Sequence, residues 1–473
     1  MARQDYDLVV IGGGSAGLTA ARFAARLGRR VALVEKDRIG GDCTWTGCVP
    51  SKTLLKTAKL ARDLRHAARY GLPQASQRQV DLEMVMSQVR SVIDDVYQAE
   101  TPEKLQEEGI EVYLETAEFQ DPHTIRAGAT QLSTKRALIA TGARPLIPPI
   151  AGLENVDYLT YESVWDLTVL PQRLVVVGGG PIGCELAQAF CRLGSQVTLL
   201  EGTSRILLQD EPEASELIAQ TLAQDGVDLR LNTPLESVRQ AGPEIVVTAS
   251  GQELRGERLL MSVGRRPHLS DLGLDQAEID YSPLGINVNN HLRTTQKHIY
   301  AAGDCVGGYQ FTHYAGWQGF MAVRNAFFPG AQKAALDLVP WATFTDPEVA
   351  RTGLSELQAK EKYGDGIQVA RWPMQQVDRA VTEGDTAGFI RVVHRPNGQV
   401  LGATIVNPRA GEMIHEWILA QDRGLKFGDL SKSLHVYPTY SLGSLQLASE
   451  MEVSRLLSGR MGKLVRGVSK LLY

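Results

Sequence analysis

Residues 8–17 read LVVIGGGSAG, an apolar run followed by three glycines and, three residues further on, by a fourth. A helical stretch rich in alanine and a second apolar strand come next, and that strand ends at Glu35. A strand, a G-x-G-x-x-G turn, a helix, a strand and an acidic residue in this order are typical of a dinucleotide-binding unit. Gly12 permits the tight turn, Gly14 lets the backbone approach a pyrophosphate, and Gly17 lets the helix pack on the strand. Glu35 is then placed to accept hydrogen bonds from an adenosine ribose.

The same pattern recurs 166 positions later, because Gly178 follows Gly12 at that distance. Its matching residues are Gly178, Gly180, Gly183 and Glu201. Two dinucleotide sites in one chain predict two cofactors that exchange electrons, a flavin and a nicotinamide. Glu201 would repel the 2′-phosphate of NADP, although Arg205 lies nearby. We therefore predict a preference for NADH over NADPH.

Two cysteines lie between the repeats, in residues 40–52, which read GGDCTWTGCVPSK. On a regular helix Cys43 and Cys48 would be about 7.5 Å apart along the axis. A disulfide needs Cα atoms about 4.4–6.8 Å apart, so these cysteines can bond only across a distorted turn. Gly47 gives the backbone that freedom, and Pro50 suits the start of a new helix. A switchable redox bond and two buried thiols are both consistent with this spacing.

Composition narrows the class of protein. The chain has 473 residues and a net charge of −5, which argues against a nucleic-acid partner. Its five cysteines are few and lack metal-ligand spacing, so we predict neither a disulfide scaffold nor a metal site. The N-terminus enters a strand almost at once and no apolar run is long enough to span a membrane, which predicts a cytoplasmic enzyme.

Two basic segments have open interpretations. A predicted amphipathic helix over residues 54–70 has an apolar side that includes Leu54 and Leu64. Its other side has a basic stripe formed by Lys52, Lys56, Lys59, Arg62, Arg65 and Arg69. We favour a solvated face, and the alternative is a surface that steers an anionic substrate or an acidic redox protein. Residues 453–473 have the pattern of a basic amphipathic tail. Such a tail can lie on an anionic membrane, but three glycines weaken the helix, so we favour docking on the protein body.

Proline and glycine clusters divide the rest of the chain. The prolines after Ala140-Thr141-Gly142 and the segment around Gly264 close the two dinucleotide units. A later strand delivers Asp304 to a turn, where it could bind a ribityl hydroxyl. We predict an α/β fold with two Rossmann-like dinucleotide-binding domains and a C-terminal α+β region. The predicted domains are a flavin domain at 1–152 and 281–337, a nicotinamide domain at 153–280, an interface domain at 338–452 and the tail at 453–473.

These motifs resemble the flavoprotein disulfide reductases, which include mercuric reductase, dihydrolipoyl dehydrogenase and glutathione reductase. The resemblance implies FAD in the first site, NAD(P)H in the second and a homodimer formed by the last domain. It also implies that Cys43 is the interchange thiol, that Cys48 faces the flavin, and that Lys52 and Glu185 pair beside it. The cofactor residues implied are Gly12, Gly14, Gly17, Glu35, Lys52, Ala140, Thr141, Gly142, Gly178, Gly180, Gly183, Glu201, Gly264 and Asp304.

One departure from the family pattern bears on the substrate. Members that act on dithiols or disulfides use a His-Pro pair and a glutamate five residues after the histidine. Here Tyr437 takes the histidine position and Leu442 the glutamate position, with His435 two residues before. A phenol of pKa about 10 is a poor proton shuttle near neutral pH. We therefore predict hydride transfer from NAD(P)H through FAD and the Cys43–Cys48 disulfide to a thiol-reactive electrophile, a metal ion, a quinone-like or a disulfide acceptor. The alternatives are an enzyme like dihydrolipoyl dehydrogenase or glutathione reductase, and a non-catalytic flavin redox sensor.

Overall fold

The computed structural model describes residues 5–73, 80–334, 336, 339–457, 462, 467 and 468. The chain divides into two compact units, one of residues 1–202 and 233–337 and the other of residues 203–232 and 338–473. Each unit contains helices and strands, and the predicted α/β class with two dinucleotide-binding regions and a C-terminal α+β region is confirmed. The predicted tail helix lies almost entirely outside the described residues, and the predicted domain limits stay a prediction.

The first unit begins with a strand, the glycine turn and a helix, as the sequence pattern predicts. Up to residue 145 the elements are β1 (Leu8–Ile11), α1 (Ser15–Arg26), β2 (Val31–Val34), α2 (Gly41–Trp45), α3 (Cys48–Arg65), α4 (Leu82–Tyr97), α5 (Pro102–Glu107), β3 (Ile110–Tyr113), β4 (Ala117–Asp121), β5 (Thr124–Ala127), β6 (Thr130–Ser133), β7 (Ala137–Ile139) and β8 (Ala143–Pro145).

The second glycine turn repeats this order of elements. The next elements are β9 (Arg173–Val177), α6 (Pro181–Leu193), β10 (Gln196–Leu200), α7 (Pro212–Asp225), β11 (Asp228–Arg230), β12 (Leu235–Ala241), β13 (Glu244–Ala249), β14 (Gln252–Gly256), β15 (Arg258–Met261), β16 (Arg265–Pro267), β17 (Tyr281–Ser282), β18 (Gly285–Ile286), β19 (Ile299–Ala301) and α8 (Thr312–Phe327). Of these, α7 and β11 belong to the second unit.

A five-stranded parallel sheet in the order β19-β7-β1-β2-β3 forms the centre of the first unit. Its strands are continuously apolar because a parallel sheet is covered on both faces, and every residue of β1 and β2 is buried. Helices α1 and α8 pack so closely that a Cβ on Gly319 would lie 2.2 Å from the Ala16 carbonyl oxygen. This contact fixes the middle of α8 against α1. In the second glycine unit, β9 pairs in parallel with β10 and β15.

The second unit is built on an antiparallel sheet of the strands β20 (Trp341–Thr343), β21 (Glu348–Gly353), β22 (Gln368–Pro373), β23 (Phe389–His394) and β24 (Val400–Asn407). Their order in the sheet is β20-β21-β24-β23-β22. Trp417 is fully buried against the sheet and meets the Phe427 ring edge-on at 5.4 Å. The helices that follow residue 338 in the second unit are α9 (Glu356–Tyr363), α10 (Asp378–Glu383), α11 (Ala410–Asp422) and α12 (Leu442–Leu457).

The predicted helix at residues 54–70 differs from the observed one at both ends. Helix α3 begins at Cys48, because Pro50 lies in the first turn, where its missing N–H costs no hydrogen bond. It ends at Arg65, and a 3₁₀ turn continues over Ala67–Tyr70. Leu64, predicted on the apolar side, is 58% exposed. Across the described ranges, no helix is both long and apolar enough to cross a membrane.

Candidate active site

The two glycine turns have the same geometry. Gly12 and Gly178 both adopt φ +105°, a conformation that L side chains rarely take. A Cβ on Gly17 would lie 1.8 Å from the Gly12 carbonyl oxygen, and one on Gly183 would lie 1.9 Å from that of Gly178. Only glycine fits these positions, so each helix starts directly against its strand, with its N-terminal N–H groups at the turn.

The acidic residue of each repeat reaches back to its glycine turn. A Glu35 carboxylate oxygen accepts a hydrogen bond of 2.7 Å from the Gly13 N–H. Glu201 accepts the equivalent bond, also of 2.7 Å, from the Gly179 N–H. Both carboxylates therefore lie beside the turn at which the sequence predicts a cofactor. Gly14 and Gly180 are the last residues before their helices, α1 and α6.

The other predicted cofactor residues lie next to strands of the first unit. Residues 140–142 follow β7, and the Thr141 hydroxyl donates to the His268 carbonyl oxygen at 2.7 Å. Gly264 directly precedes β16, which pairs with β8 in an antiparallel ribbon. Asp304 follows β19, the neighbour of β7 in the central sheet.

The redox turn, residues 42–48, is a break between two helices. Helix α2 ends at Trp45, and α3 starts at Cys48 after the irregular residues Thr46 and Gly47. A Cβ on Gly47 would lie 2.7 Å from the Asp42 carbonyl oxygen. The absence of a side chain at Gly47 therefore lets the start of α3 pack on the turn that carries Cys43. This break is the distorted turn that the cysteine spacing required.

The two thiols share a hydrogen bond that assigns the proton to Cys43. The Cys43 thiol donates to the Cys48 sulfur, and this bond lowers the pKa of Cys48 to about 5 against the opposing effect of burial. The Thr312 hydroxyl, 3.5 Å from the Cys48 sulfur, and the Lys52 ammonium lower that pKa further. The pKa of Cys43 is raised by the same hydrogen bond and by burial. At neutral pH the dithiol therefore holds a Cys48 thiolate.

The predicted lysine–glutamate pair is formed. Lys52 Nζ lies 2.9 Å from Glu185 Oε2, between α3 and α6. The Glu185 side chain is only 7% exposed, whereas that of Lys52 is 35% exposed. The pair brings a positive charge within reach of Cys48 and compensates a carboxylate in the protein interior.

Asp304 pairs with an arginine that sequence reasoning did not identify. Arg265 Nη1 lies 2.6 Å from Asp304 Oδ2, and Arg265 Nη2 lies 2.5 Å from Asp42 Oδ2. Burial raises the pKa of Asp304, and the guanidinium opposes that effect. Thr312 was also missed. The one signal for Arg265 was its place in the segment around Gly264 that ends the second dinucleotide-binding repeat, and none pointed to Thr312.

In the second unit, Tyr437 and His435 are both engaged by carboxylates. The Tyr437 hydroxyl donates to Asp378 at 3.0 Å, which raises the pKa of the phenol, and the side chain is 65% exposed. His435 Nε2 lies 2.6 Å from a Glu416 oxygen and Nδ1 lies 2.9 Å from the Ser433 carbonyl oxygen. Both ring nitrogens of His435 therefore face an oxygen acceptor.

Other predicted features are less informative. Within the described part of the chain, no group of three or more His, Cys, Asp or Glu side chains is placed to hold a metal ion. Cys184 and Cys305 are fully buried, as expected of core thiols. The Arg205 guanidinium donates to the carbonyl oxygens of Leu208 and Asp210 in its own loop.

Comparison with known proteins identifies the family. The chain matches the pyridine nucleotide-disulphide oxidoreductase family over residues 6–319 and the dimerisation domain of that family over residues 339–445. A mercuric reductase of Bacillus cereus is 36% identical over 461 residues, covering 96% of this chain and 73% of that protein. A dihydrolipoyl dehydrogenase of Bacillus subtilis (strain 168) is 33% identical over 416 residues, covering 86% of this chain and 90% of that protein.

Solved structures agree with this match. The Cu(II) complex of the HOCl-induced flavoprotein disulfide reductase RclA from Escherichia coli has a TM-score of 0.85 at 29% identity, covering 93% of this chain and 99% of that one. LpdA from Mycobacterium tuberculosis has a TM-score of 0.86 at 29% identity, covering 94% and 99%. The family resemblance inferred from the motifs is confirmed.

Proposed function

The chain belongs to the pyridine nucleotide-disulphide oxidoreductases, and from this membership we propose that it reduces a thiol-reactive acceptor, such as a soft metal ion, through Cys43 and Cys48. The family is FAD-dependent and uses NAD(P)H, and its members are oxidoreductases that act on sulfur groups or metal ions. The dimerisation domain supports a homodimer. Hg(II), Cu(II) and quinones are candidate acceptors of this class.

The glycine turns fit the two cofactors. A side chain on Gly17 or Gly183 would collide with the backbone, and the free N–H groups at each helix start suit a pyrophosphate. In the proposed assignment Gly12, Gly14, Gly17, Glu35 and Asp304 hold FAD, and Gly178, Gly180, Gly183 and Glu201 hold the nicotinamide cofactor. When bound, the flavin supplies two-electron transfer between NAD(P)H and the cysteine pair.

The protein's own groups then divide the thiol chemistry. Two-electron reduction of the Cys43–Cys48 disulfide, with uptake of one proton, gives the Cys43 thiol and the Cys48 thiolate. The single observation that carries the proposal is the position of the Cys48 sulfur, which lies 3.5 Å from the Thr312 hydroxyl and beside Cys43 and the Lys52 ammonium. These groups keep Cys48 ionised without a separate base. The thiol–thiolate pair then releases the Cys43 proton, passes two electrons to one Hg(II) ion or quinone, or one electron to each of two Cu(II) ions, and returns to the disulfide.

The acceptor class follows from the second unit. Turnover of a dithiol or disulfide substrate needs a group that exchanges protons near neutral pH. Tyr437 has a raised pKa, and both nitrogens of His435 face other acceptors. A soft metal ion needs thiolates rather than a proton shuttle. Similarity to mercuric reductases, and to a reductase solved with Cu(II), supports the same class.

A dihydrolipoyl dehydrogenase is the second candidate. It is supported by relatives of that name at 33% and 31% identity that share nearly the full length of the chain. The feature that argues against a dihydrolipoyl dehydrogenase is Tyr437, which takes the position of the histidine that exchanges protons in such enzymes.

We also propose NADH as the preferred reductant. Glu201 stands where a 2′-phosphate would be repelled. Arg205 is held by two carbonyl oxygens of its own loop, which makes it less available to a phosphate. The ratio of kcat/KM for NADH to that for NADPH tests this preference.

Steady-state oxidation of NADH tests the acceptor class, with Hg(II), Cu(II), a quinone, lipoamide and glutathione disulfide offered separately. We expect kcat/KM with a metal ion or quinone to exceed that with lipoamide by about 10-fold or more, since general acid–base help is missing. Tyr437→His should raise lipoamide turnover, whereas Tyr437→Phe, the matched control, should not. Lipoamide as the best substrate of the unchanged protein would overturn the proposal.

A further inference from the structure

Asp42, the residue before Cys43, is anchored by two side chains from distant parts of the chain. Its Oδ2 accepts from Arg265 Nη2 at 2.5 Å and from the Tyr161 hydroxyl at 3.2 Å. The Tyr161 hydroxyl in turn accepts from Arg265 Nε at 3.2 Å, and the guanidinium lies 5.3 Å from the Tyr161 ring centre. Arg265, Tyr161 and Asp42 are therefore joined pairwise by hydrogen bonds. Two of these bonds end on the Asp42 carboxylate, and the third joins its two donors.

The same segment also holds the middle of the redox turn. The Trp165 indole N–H is shared between the Thr46 carbonyl oxygen at 3.0 Å and that of Tyr161 at 2.7 Å. Both aromatic side chains are buried. Asp42 and Thr46 lie on either side of Cys43, so residues 161–165 fix the turn at two points.

The anchor is rigid because its cation is compensated twice. Burial alone would lower the pKa of Arg265, but the carboxylates of Asp304 and Asp42 and the Tyr161 hydroxyl raise it above its usual value. The side chains of Arg265 and Asp304 are 19% and 11% exposed. A guanidinium held by two carboxylates in a largely buried site makes strong, charge-assisted hydrogen bonds.

Helix α2 needs such an anchor. It has only five residues, and its N-cap residue, Gly40, has no side chain that could accept a hydrogen bond from the helix. Helices this short are not stable by themselves in water. The position of Cys43 therefore depends on contacts from outside the helix. These include the ion pair of Asp42 with Arg265 and the hydrogen bond of 2.9 Å from the Thr44 hydroxyl to the Glu100 carboxylate.

We propose that Asp42 is a positioning residue of the cysteine couple: held by Arg265 and Tyr161, it keeps the Cys43 thiol directed at the Cys48 sulfur and so stabilises the dithiol over the disulfide. The inference rests on the proposed function in one respect, since it requires Cys43 and Cys48 to interchange between thiols and a disulfide. Loss of the anchor removes the hydrogen bond that stabilises the reduced state. The couple then becomes harder to reduce, because a stabilised thiolate favours the reduced form.

The test compares Asp42→Asn with Glu162→Gln in the flavin-loaded protein. Glu162 is exposed and close enough to Arg265 for each to influence the other, but among the described residues no hydrogen bond to its carboxylate is formed. Both changes remove one negative charge near Arg265, and only the first breaks the anchor. The disulfide fraction is measured in anaerobic glutathione buffers by alkylation and mass mapping of Cys43 and Cys48. The pH dependence of Cys48 alkylation is a second readout.

For Asp42→Asn we expect the exchange equilibrium with glutathione to move towards the disulfide by about 3- to 10-fold. The Cys48 alkylation profile should move to higher pH, and Glu162→Gln should change neither. Tyr161→Phe, which removes one donor but keeps the ring, should shift both readouts in the same direction by less. It serves as the test if Asp42→Asn does not fold.

Two results would overturn the inference. If the anchor variants match Glu162→Gln in both readouts, Asp42 does not position Cys43, and the proposed function is untouched. If the unchanged protein forms no Cys43–Cys48 disulfide in oxidising buffer, the inference and the proposed function fail together.

Discussion

At the scale of single residues, the pH response of Cys48 is the most direct consequence of the thiol–thiol hydrogen bond. The pKa of Cys48 is lowered to about 5, first of all by the Cys43 thiol. In the reduced protein we expect its alkylation rate to stay level from neutral pH down to about pH 6 and to fall below that. Cys43→Ala should move the profile towards the ordinary thiol value of about 8.5. Thr312→Val should move it by less, and equal profiles for all three proteins would contradict the account.

The ion pair of Lys52 with Glu185 leads to a prediction for the free energy of unfolding. Lys52→Met leaves the buried Glu185 carboxylate without its ammonium partner. We expect the free energy of unfolding to fall by about 1–3 kcal/mol, less than for a fully buried pair because Lys52 is partly exposed. Lys56→Met on the exposed side of the same helix is the matched control. Urea unfolding measures both, and equal losses would argue against the pair.

The sequence predicted single residues where a fixed spacing reflects local chemistry. Gly12 and Glu35 could be identified because the turn and the strand end lie close together in the chain. Lys52 and Glu185 are 133 positions apart, and only the family resemblance placed them together. Arg265 lies 223 positions from Asp42, so no local pattern could report their contact.

At the scale of elements, the break between α2 and α3 is the decisive feature, and Gly47 makes it possible. In Gly47→Ala the new Cβ would meet the Asp42 carbonyl oxygen at 2.7 Å, so one of the two helices must shift. We expect a loss of about 1–3 kcal/mol in unfolding free energy and a slower Cys43–Cys48 disulfide formation. In Gly202→Ala, the control, the Cβ meets only ordinary contacts at 3.8 Å. A Gly47→Ala protein that forms the disulfide at the unchanged rate would refute this role.

Helix periodicity predicted the existence of elements better than their surroundings. Residues 82–108 have a helical sequence pattern that is interrupted near Thr101-Pro102, and α4 and α5 have that form. Leu64 was expected to be covered and is exposed, because periodicity identifies an apolar face but not what packs on it.

At the scale of the whole molecule, one carboxylate makes the stability of the second unit depend on pH. Asp210 is buried and accepts from the Trp341 indole N–H at 3.0 Å, and burial raises its pKa from 3.8 to about 6. A carboxyl group with a raised folded-state pKa contributes stability that is present below about pH 4 and is lost as the pH rises through about 6.

Asp210→Asn removes this charge and keeps the acceptor for Trp341. We expect the variant to gain up to about 3 kcal/mol over the unchanged protein at neutral pH, and little near pH 4. Urea unfolding across this range measures the difference. A difference that does not change with pH would contradict the assignment.

The repeated glycine turns and the cysteine pair between them carry the central claim, that electrons from NADH reach the Cys43–Cys48 disulfide. The most direct measurement is anaerobic addition of one equivalent of NADH to the oxidised, flavin-loaded protein, followed by alkylation and mass mapping of the thiols. We expect Cys43 and Cys48 to become alkylated, while Cys184 and Cys305, both buried, do not change. An intact Cys43–Cys48 disulfide after NADH is consumed would contradict this expectation and favour a flavin redox sensor.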